Sequence, residues 1–202
     1  AAAALEPEAP LRVRHPHRFG LTARAAYWAA LHLVKDEVYN LNNLTTSELN
    51  FDVSLRYYAL DSFNIFLRGF RGGQGITDDP GRLAPFASLG VSGNSYLKLD
   101  GLEFGVMGYL GGKMMRESRF NPYLTGAVGR TSWALHEEGR GSTVVVLDRD
   151  PLEGKDWSFA FGLGTEFDLG QTIKLEFEWL WRYFLTKDEA KWPNSDEFWN
   201  NT

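Results

Sequence analysis

Along residues 172–185, TIKLEFEWLWRYFL, apolar and polar positions alternate with a period of two. Ile173, Leu175, Phe177, Trp179, Trp181, Tyr183 and Leu185 fall on one face. Lys174, Glu176, Glu178 and Arg182 fall on the other, interrupted by Leu180 and Phe184. Successive side chains of a β-strand point to opposite sides of the pleat, so the pattern predicts a strand. Its faces are unlike those of a half-buried strand in a water-soluble sheet. The apolar side is unbroken and ends in aromatics, and the polar side carries both charge signs at positions suited to pairing. A strand between lipid and an enclosed polar interior has this character.

The same alternation recurs six more times, predicting strands over 18–31, 49–59, 63–70, 97–110, 120–135 and 157–169. In the first, Phe19, Leu21, Ala23, Ala25, Tyr27 and Ala29 oppose Gly20, Thr22, Arg24, Ala26 and Trp28, although the run AAYWAAL also suits a helix. Over 120–135 two phases compete. Tyr123, Ala127 and Trp133 outward would place Arg130 inside; Leu124 and Val128 outward would place it outside. Asp100-Gly101 reads as a bulge or kink. PFASLGV (85–91) suits a loop or a short extra strand, and TVVVLD (143–148) a loop or a hairpin extension.

The connections alternate long and short, with short turns at Asp61, at 111–118 and at Gly170 and long polar stretches between, which separates the two rims of an up-and-down barrel. A closed barrel of this kind needs an even strand count, since unpaired strand edges in lipid are very costly. An eighth strand is therefore expected to begin near Phe198-Trp199 and to run past Thr202. The predicted class is all-β, an up-and-down antiparallel transmembrane β-barrel of eight strands, seven of them visible. Residues 1–17 form a flexible lead-in rich in Pro and charge, and 18–202 the barrel domain. Ala1 to Ala4 suit either the remnant of a cleaved export signal or a flexible tail.

Composition narrows the classes. The formal net charge of −5 and the absence of a basic stripe argue against nucleic acid as a partner. With no cysteine, neither disulfides nor thiolate metal sites are available. Aromatics at 14% and 21 glycines, without any apolar run near ~18 residues, fit a barrel and exclude a transmembrane helix within this sequence.

With these segments in view, the chain resembles the small eight-stranded bacterial outer-membrane β-barrels of the OmpA/OmpX-like kind. The carriers are LDGLEFGVMGYL, RFNPYLTGAVGRTSW and WSFAFGLGTEFDLGQTIKLEFEWLWRYFL. The chain departs from that pattern in lacking the terminal strand with its closing aromatic. The resemblance implies an outer-membrane location, short periplasmic turns with the N-terminus on that side, and long loops at the cell surface. It implies as partners outer-membrane lipid and lipopolysaccharide, and other envelope proteins met through loops or the N-terminal segment.

The candidate chemistry lies mainly on the inward phase. Arg24, Asp52, Arg56, Arg68, Glu103, Glu166, Lys174, Glu176, Glu178 and Arg182 are expected to form a charge network in the lumen, because isolated buried charge is prohibitive. The narrow interior of an eight-stranded barrel is just wide enough to be filled by side chains. Glu176 and Glu178 share a face at a spacing suited to acid/base chemistry, but Lys174 and Arg182 flank them, so neutralisation is the expected role. Tyr27, Tyr57, Trp157, Phe159, Phe161, Phe177, Trp179, Trp181 and Tyr183 are expected to face lipid or form its aromatic girdles, with Trp28 and Trp133 at strand ends.

A hydrolase would need Ser, His and an acid together. Of His15, His17, His32 and His136, only His136, near Glu137, Glu138 and Ser132, comes close. The spacing from Ser132 is too long for a direct hydrogen bond, so no catalytic function is expected. His15 and His17 are placed to bind a metal only weakly. The acidic loop residues Asp78, Asp79, Asp148, Asp150 and Glu153 meet no calcium-loop spacing, so no metal site or cofactor is expected. The leading expectation is an outer-membrane scaffold that displays loops or docks into an envelope assembly. The alternatives are a narrow gated pore, a soluble lipocalin-like binding barrel, and a lipid-modifying enzyme.

Overall fold

The structure, a computed structural model, describes residues 18–30, 44–60, 62–84, 90–110, 120–141, 143–147, 149–169, 173–185 and 198–201. Period-two alternation becomes seven long antiparallel strands: β1 (Arg18–Ala30), β3 (Glu48–Leu60), β4 (Phe63–Ile76), β5 (Tyr96–Tyr109), β6 (Phe120–His136), β9 (Glu153–Asp168) and β10 (Lys174–Leu185). The short β11 (Phe198–Asn201) is the eighth. Minor pieces decorate the long-loop end: β2 (Thr45–Thr46), which pairs with β4, the helix α1 (Pro80–Leu83), and a hairpin of β7 (Val146–Leu147) and β8 (Asp150–Pro151).

Each long strand pairs with its predecessor, and the order runs β4-β3-β1-β11-β10-β9-β6-β5 and back to β4. The class is therefore all-β, one eight-stranded up-and-down antiparallel sheet that curls on itself. At the long-loop end the curl passes through β11, whose residues 198–201 pair with 181–184 of β10 and whose residues 200–201 pair with 29–30 of β1. Farther from that end, Arg24 of β1 bonds directly to Glu176 of β10.

Several expectations are corrected. β4 continues six residues past Phe70, because the glycines of RGGQG serve close packing rather than a turn. A Cβ at Gly72 would overlap the side-chain amide of Asn50, which itself accepts from Gly73 N and donates to Gly73 O. No bulge interrupts Asp100-Gly101, where the register is continuous on both sides. The glycine is needed instead because the Phe70 ring occupies the place of a Cβ. The irregularity lies between Tyr58 and Leu60. Residues 18–30 are strand, not helix, and β9 starts four residues earlier than the alternation suggested. In TVVVLD, Val146–Leu147 does form a hairpin arm, and Val144 bridges to His136. Most of PFASLGV and the lead-in lie outside the described residues.

In β6 the phase resolves with Leu124 and Val128 exposed, Tyr123 buried and Arg130 outside. Trp28 and Trp133 also leave the expected girdle. Trp28 is buried against Phe70, and the Trp133 indole N–H donates inward to Asp156 Oδ2 at 2.6 Å. Both rings have inner partners that reward burial of an aromatic N–H or π-face.

Candidate functional site

The interior is layered along the strands. At the long-loop end Leu44, Ile76, Val91, Leu97, Leu135, Val145 and Leu152 form an apolar cluster with Leu83 and Trp133 against it. Beneath it Trp28, Phe70 and Leu99 pack together. Then come the charges, and Phe66, Met107 and Tyr123 form a third cluster among them.

The charged layer is built from inward positions of six strands. Arg182 of β10 donates through Nε and Nη2 to both oxygens of Glu103 on β5, at 2.6 and 3.2 Å, and its guanidinium lies 4.0 Å from the centre of the Phe70 ring. Arg68 of β4 donates to Glu178 Oε1 at 2.9 Å and stands 3.7 Å from Glu103 Oε2. Arg24 of β1 donates to Asp52 on β3 at 2.9 Å and to Glu176 at 2.8 Å, and pairs with Glu178 at 2.9 Å. Arg56 of β3 reaches Glu166 on β9 and both oxygens of Glu176 at 2.6–2.8 Å. Lys174 closes the set on Glu166 Oε2 at 3.0 Å. Five cationic groups thus meet five carboxylates, and every one of the ten makes at least one ion pair. Lys174 is 30% exposed and the other nine are 11% or less, so the pairing replaces water that has been excluded.

Two tyrosines belong to the network that the alternation did not single out. The Tyr123 hydroxyl lies 2.7 Å from Glu176 Oε1 and 3.0 Å from Glu178 Oε2, and Tyr109 donates to Glu166 Oε1 at 2.7 Å. The two competing phases of β6 leave the face of Tyr123 open in the sequence, and Tyr109 carries no charge that would mark it for the network. Asp156, buried beside Trp133, falls before the start that the alternation sets at Trp157, inside the four residues that β9 adds.

The outer face has the opposite character. Phe177 and Trp179 are 59% and 60% exposed, and Tyr27, Phe159, Phe161 and Trp157 stand out likewise. Tyr57, Trp181 and Tyr183 are half-buried on the same face, where Trp181 stacks on Phe161 with ring centres 5.3 Å apart.

The remaining candidates gather no chemistry. Ser132 and His136 sit four residues apart on one strand, roughly 13 Å along it. Asp79 is engaged as the cap of α1, accepting from Gly81 N at 2.9 Å, and Glu137 accepts from Thr143 at 2.7 Å. His15, His17, His32 and Asp148 lie outside the described residues. Among the described residues, no group of three or more His, Asp or Glu could hold a metal ion.

These features define a class: an all-β, barrel-like up-and-down sheet with a charge-paired interior and a mainly apolar exterior. Compared with known proteins, the chain matches no family model and no curated sequence.

Proposed function

We propose that the chain is an integral outer-membrane β-barrel that serves as a scaffold, holding its long loops at the cell surface for adhesion, tethering or docking within the envelope. The observation that carries this reading is the division of charge. The outer face of β1, β3 and β10 has no charged residue along its described length, while Arg24, Asp52, Arg56, Lys174, Glu176, Glu178 and Arg182 of those strands turn inward and pair. In water such an exterior would be an aggregation hazard; in acyl chains it is the favourable surface. On β9 the apolar span from Trp157 to Phe167 covers ten residue steps, about 25 Å at ~3.3 Å per step and a tilt of ~40°, which suits a thin outer membrane.

A scaffold is favoured over a pore because the interior is filled by layers of side chains, and the apolar cluster around Leu44, Leu135 and Leu152 stands across the long-loop end. A lipocalin-like binder needs an apolar interior, whereas Arg56, Arg68, Glu103 and Glu166 occupy this one. The test is reconstitution. The scaffold reading expects a chain that requires detergent, inserts into phospholipid vesicles in a heat-modifiable folded form, and gives no stable unit conductance in planar bilayers. Unit steps abolished by Arg182→Ala or Glu178→Ala would replace the scaffold with a pore. Monodisperse behaviour in water without detergent would remove the membrane reading altogether.

A further inference from the structure

The outer face is not uniform. On the described strands every charged side chain of that face lies on β4, β5, β6 and β9, at the long-loop end: Arg71, Lys98, Arg130 and Lys155, with Asp100 and Glu153. The register assembles them. Arg71, Asp100, Ser132 and Lys155 are successive partners in one row across the four strands. Arg130 stands two residues toward the apolar belt, opposite Leu102 and Trp157, and Lys98 two residues toward the loops. Neighbouring strands are ~4.8 Å apart and same-face residues ~6.6 Å apart, so the four bases span roughly 14 Å.

Asp100 draws two of the bases together, with Lys98 Nζ at 3.0 Å and Arg71 Nε at 3.6 Å, while the Arg71 side chain stays 81% exposed. The Arg130 guanidinium lies over the Trp157 ring at 5.2 Å, at the point where the apolar belt begins. A basic group in that position has apolar surface beside it at Leu102 and below it at Phe104 and Val128, and no acidic neighbour of its own row.

We propose that this patch binds the phosphate of an anionic membrane lipid, whose acyl chains lie along the apolar face beneath. The proposal rests on the membrane-embedded reading above and adds a side to it: the β4–β9 side would hold phosphorylated lipid and the β1–β10 side would not. Charge complementarity selects an anion, since four bases face two acids. Arginine forks match the phosphate oxygens in geometry. The position at the edge of the apolar belt selects an amphiphile over a free ion, because only a lipid satisfies both surfaces at once.

The test is native mass spectrometry of the chain released from neutral detergent, with phosphatidic acid or phosphatidylcholine of identical chains, and with inorganic phosphate as a separate arm. The wild type is expected to retain phosphatidic acid preferentially. Each base removed is expected to cost about fivefold in that preference. Arg71→Ser/Lys98→Ser/Arg130→Ser/Lys155→Ser together should abolish it, whereas Arg82→Ser, in α1, and the charge-keeping Arg71→Lys/Arg130→Lys should retain most of it. Equal retention of both lipids by the wild type, undiminished phosphatidic acid on the fourfold variant, or displacement by equimolar inorganic phosphate would each overturn the proposal. A chain that inserts into bilayers yet fails these arms loses only this inference. One that stays in water without detergent loses the membrane reading as well.

Discussion

Arg182→Met is the sharpest probe of the interior. In the wild type Glu103 is wholly enclosed, and its two bonds at 2.6 and 3.2 Å both come from Arg182. Among the described residues the other cation paired with it is Arg68, whose Nη1 is 3.7 Å away and whose Nη2 already serves Glu178. Removing Arg182 leaves a buried carboxylate without a proper partner, which costs about 3–5 kcal/mol. Loss of the guanidinium from above Phe70 and Trp28 adds roughly 0.5–2 kcal/mol, and the methionine recovers part of the packing. A net loss of about 4 kcal/mol moves the urea midpoint by about 2 M at an m-value of ~2 kcal/mol/M. The assay is reversible urea unfolding in phosphatidylcholine vesicles, followed by tryptophan fluorescence and heat-modifiable mobility. Arg182→Met/Glu103→Leu removes both charges and leaves Arg68 on Glu178, so it is expected within about 1.5 kcal/mol of wild type. A single variant that loses less than about 1 kcal/mol, or a double variant as damaged as the two singles added, would refute the claim that pairing compensates desolvation here.

Three further outcomes test other layers of the same argument. Tyr123→Phe removes the hydroxyl between Glu176 and Glu178 and should cost about 1.5–3 kcal/mol in the same unfolding assay, as for hydrogen bonds to buried charge; an unchanged midpoint would deny Tyr123 a place in the network. Gly101→Val forces a side chain into the Phe70 ring and should cost at least about 1–3 kcal/mol, whereas Gly126→Ala meets nothing within 4 Å and should stay within about 0.5 kcal/mol of wild type. Leu163→Arg, near the middle of the outer face of β9 and opposite Trp179, should weaken folding into bilayers by about 2–4 kcal/mol; a cost below about 0.5 kcal/mol would mean that lipid does not touch that face.

The strands and most of their inward charges were legible because alternation is a local property: Lys174, Glu176, Glu178 and Arg182 declare their face within one stretch of chain. The fifth long strand was not, because FNPYLTGAVGRTSW offers bulky residues in both phases, and only its neighbours decide. Tyr123 turns inward because Glu176 and Glu178 need a donor there, which no inspection of β6 alone can reveal. Trp28 and Trp133 misled for a related reason. An aromatic near a strand end suits an interface, but here a cation beside Trp28 and the Asp156 carboxylate beside Trp133 lie on the inner side. The apolar cluster at the long-loop end was invisible in sequence, since Leu44, Val91, Val145 and Leu152 come from three separate connections with no shared period.

The charge network costs desolvation that well-packed apolar residues would avoid, so its value is better sought in specificity than in stability. A β-strand that slips by one residue turns its whole inner set outward. For β10 a slip would carry Lys174, Glu176, Glu178 and Arg182 to the outer face and bring Phe177, Trp179 and Trp181 inside. Arg24 would then keep only Asp52, Arg56 only Glu166, and Glu103 only the distant Arg68. Several buried charges would be stripped of partners together, and four would stand on an otherwise apolar face. The ion pairs bind strands that are remote in sequence, β1 to β10, β3 to β9 and β4 to β10. They therefore report on strand order as well as on register. On this argument the network is a device that makes wrong pairings expensive, and its neutrality holds only when every strand takes its native place.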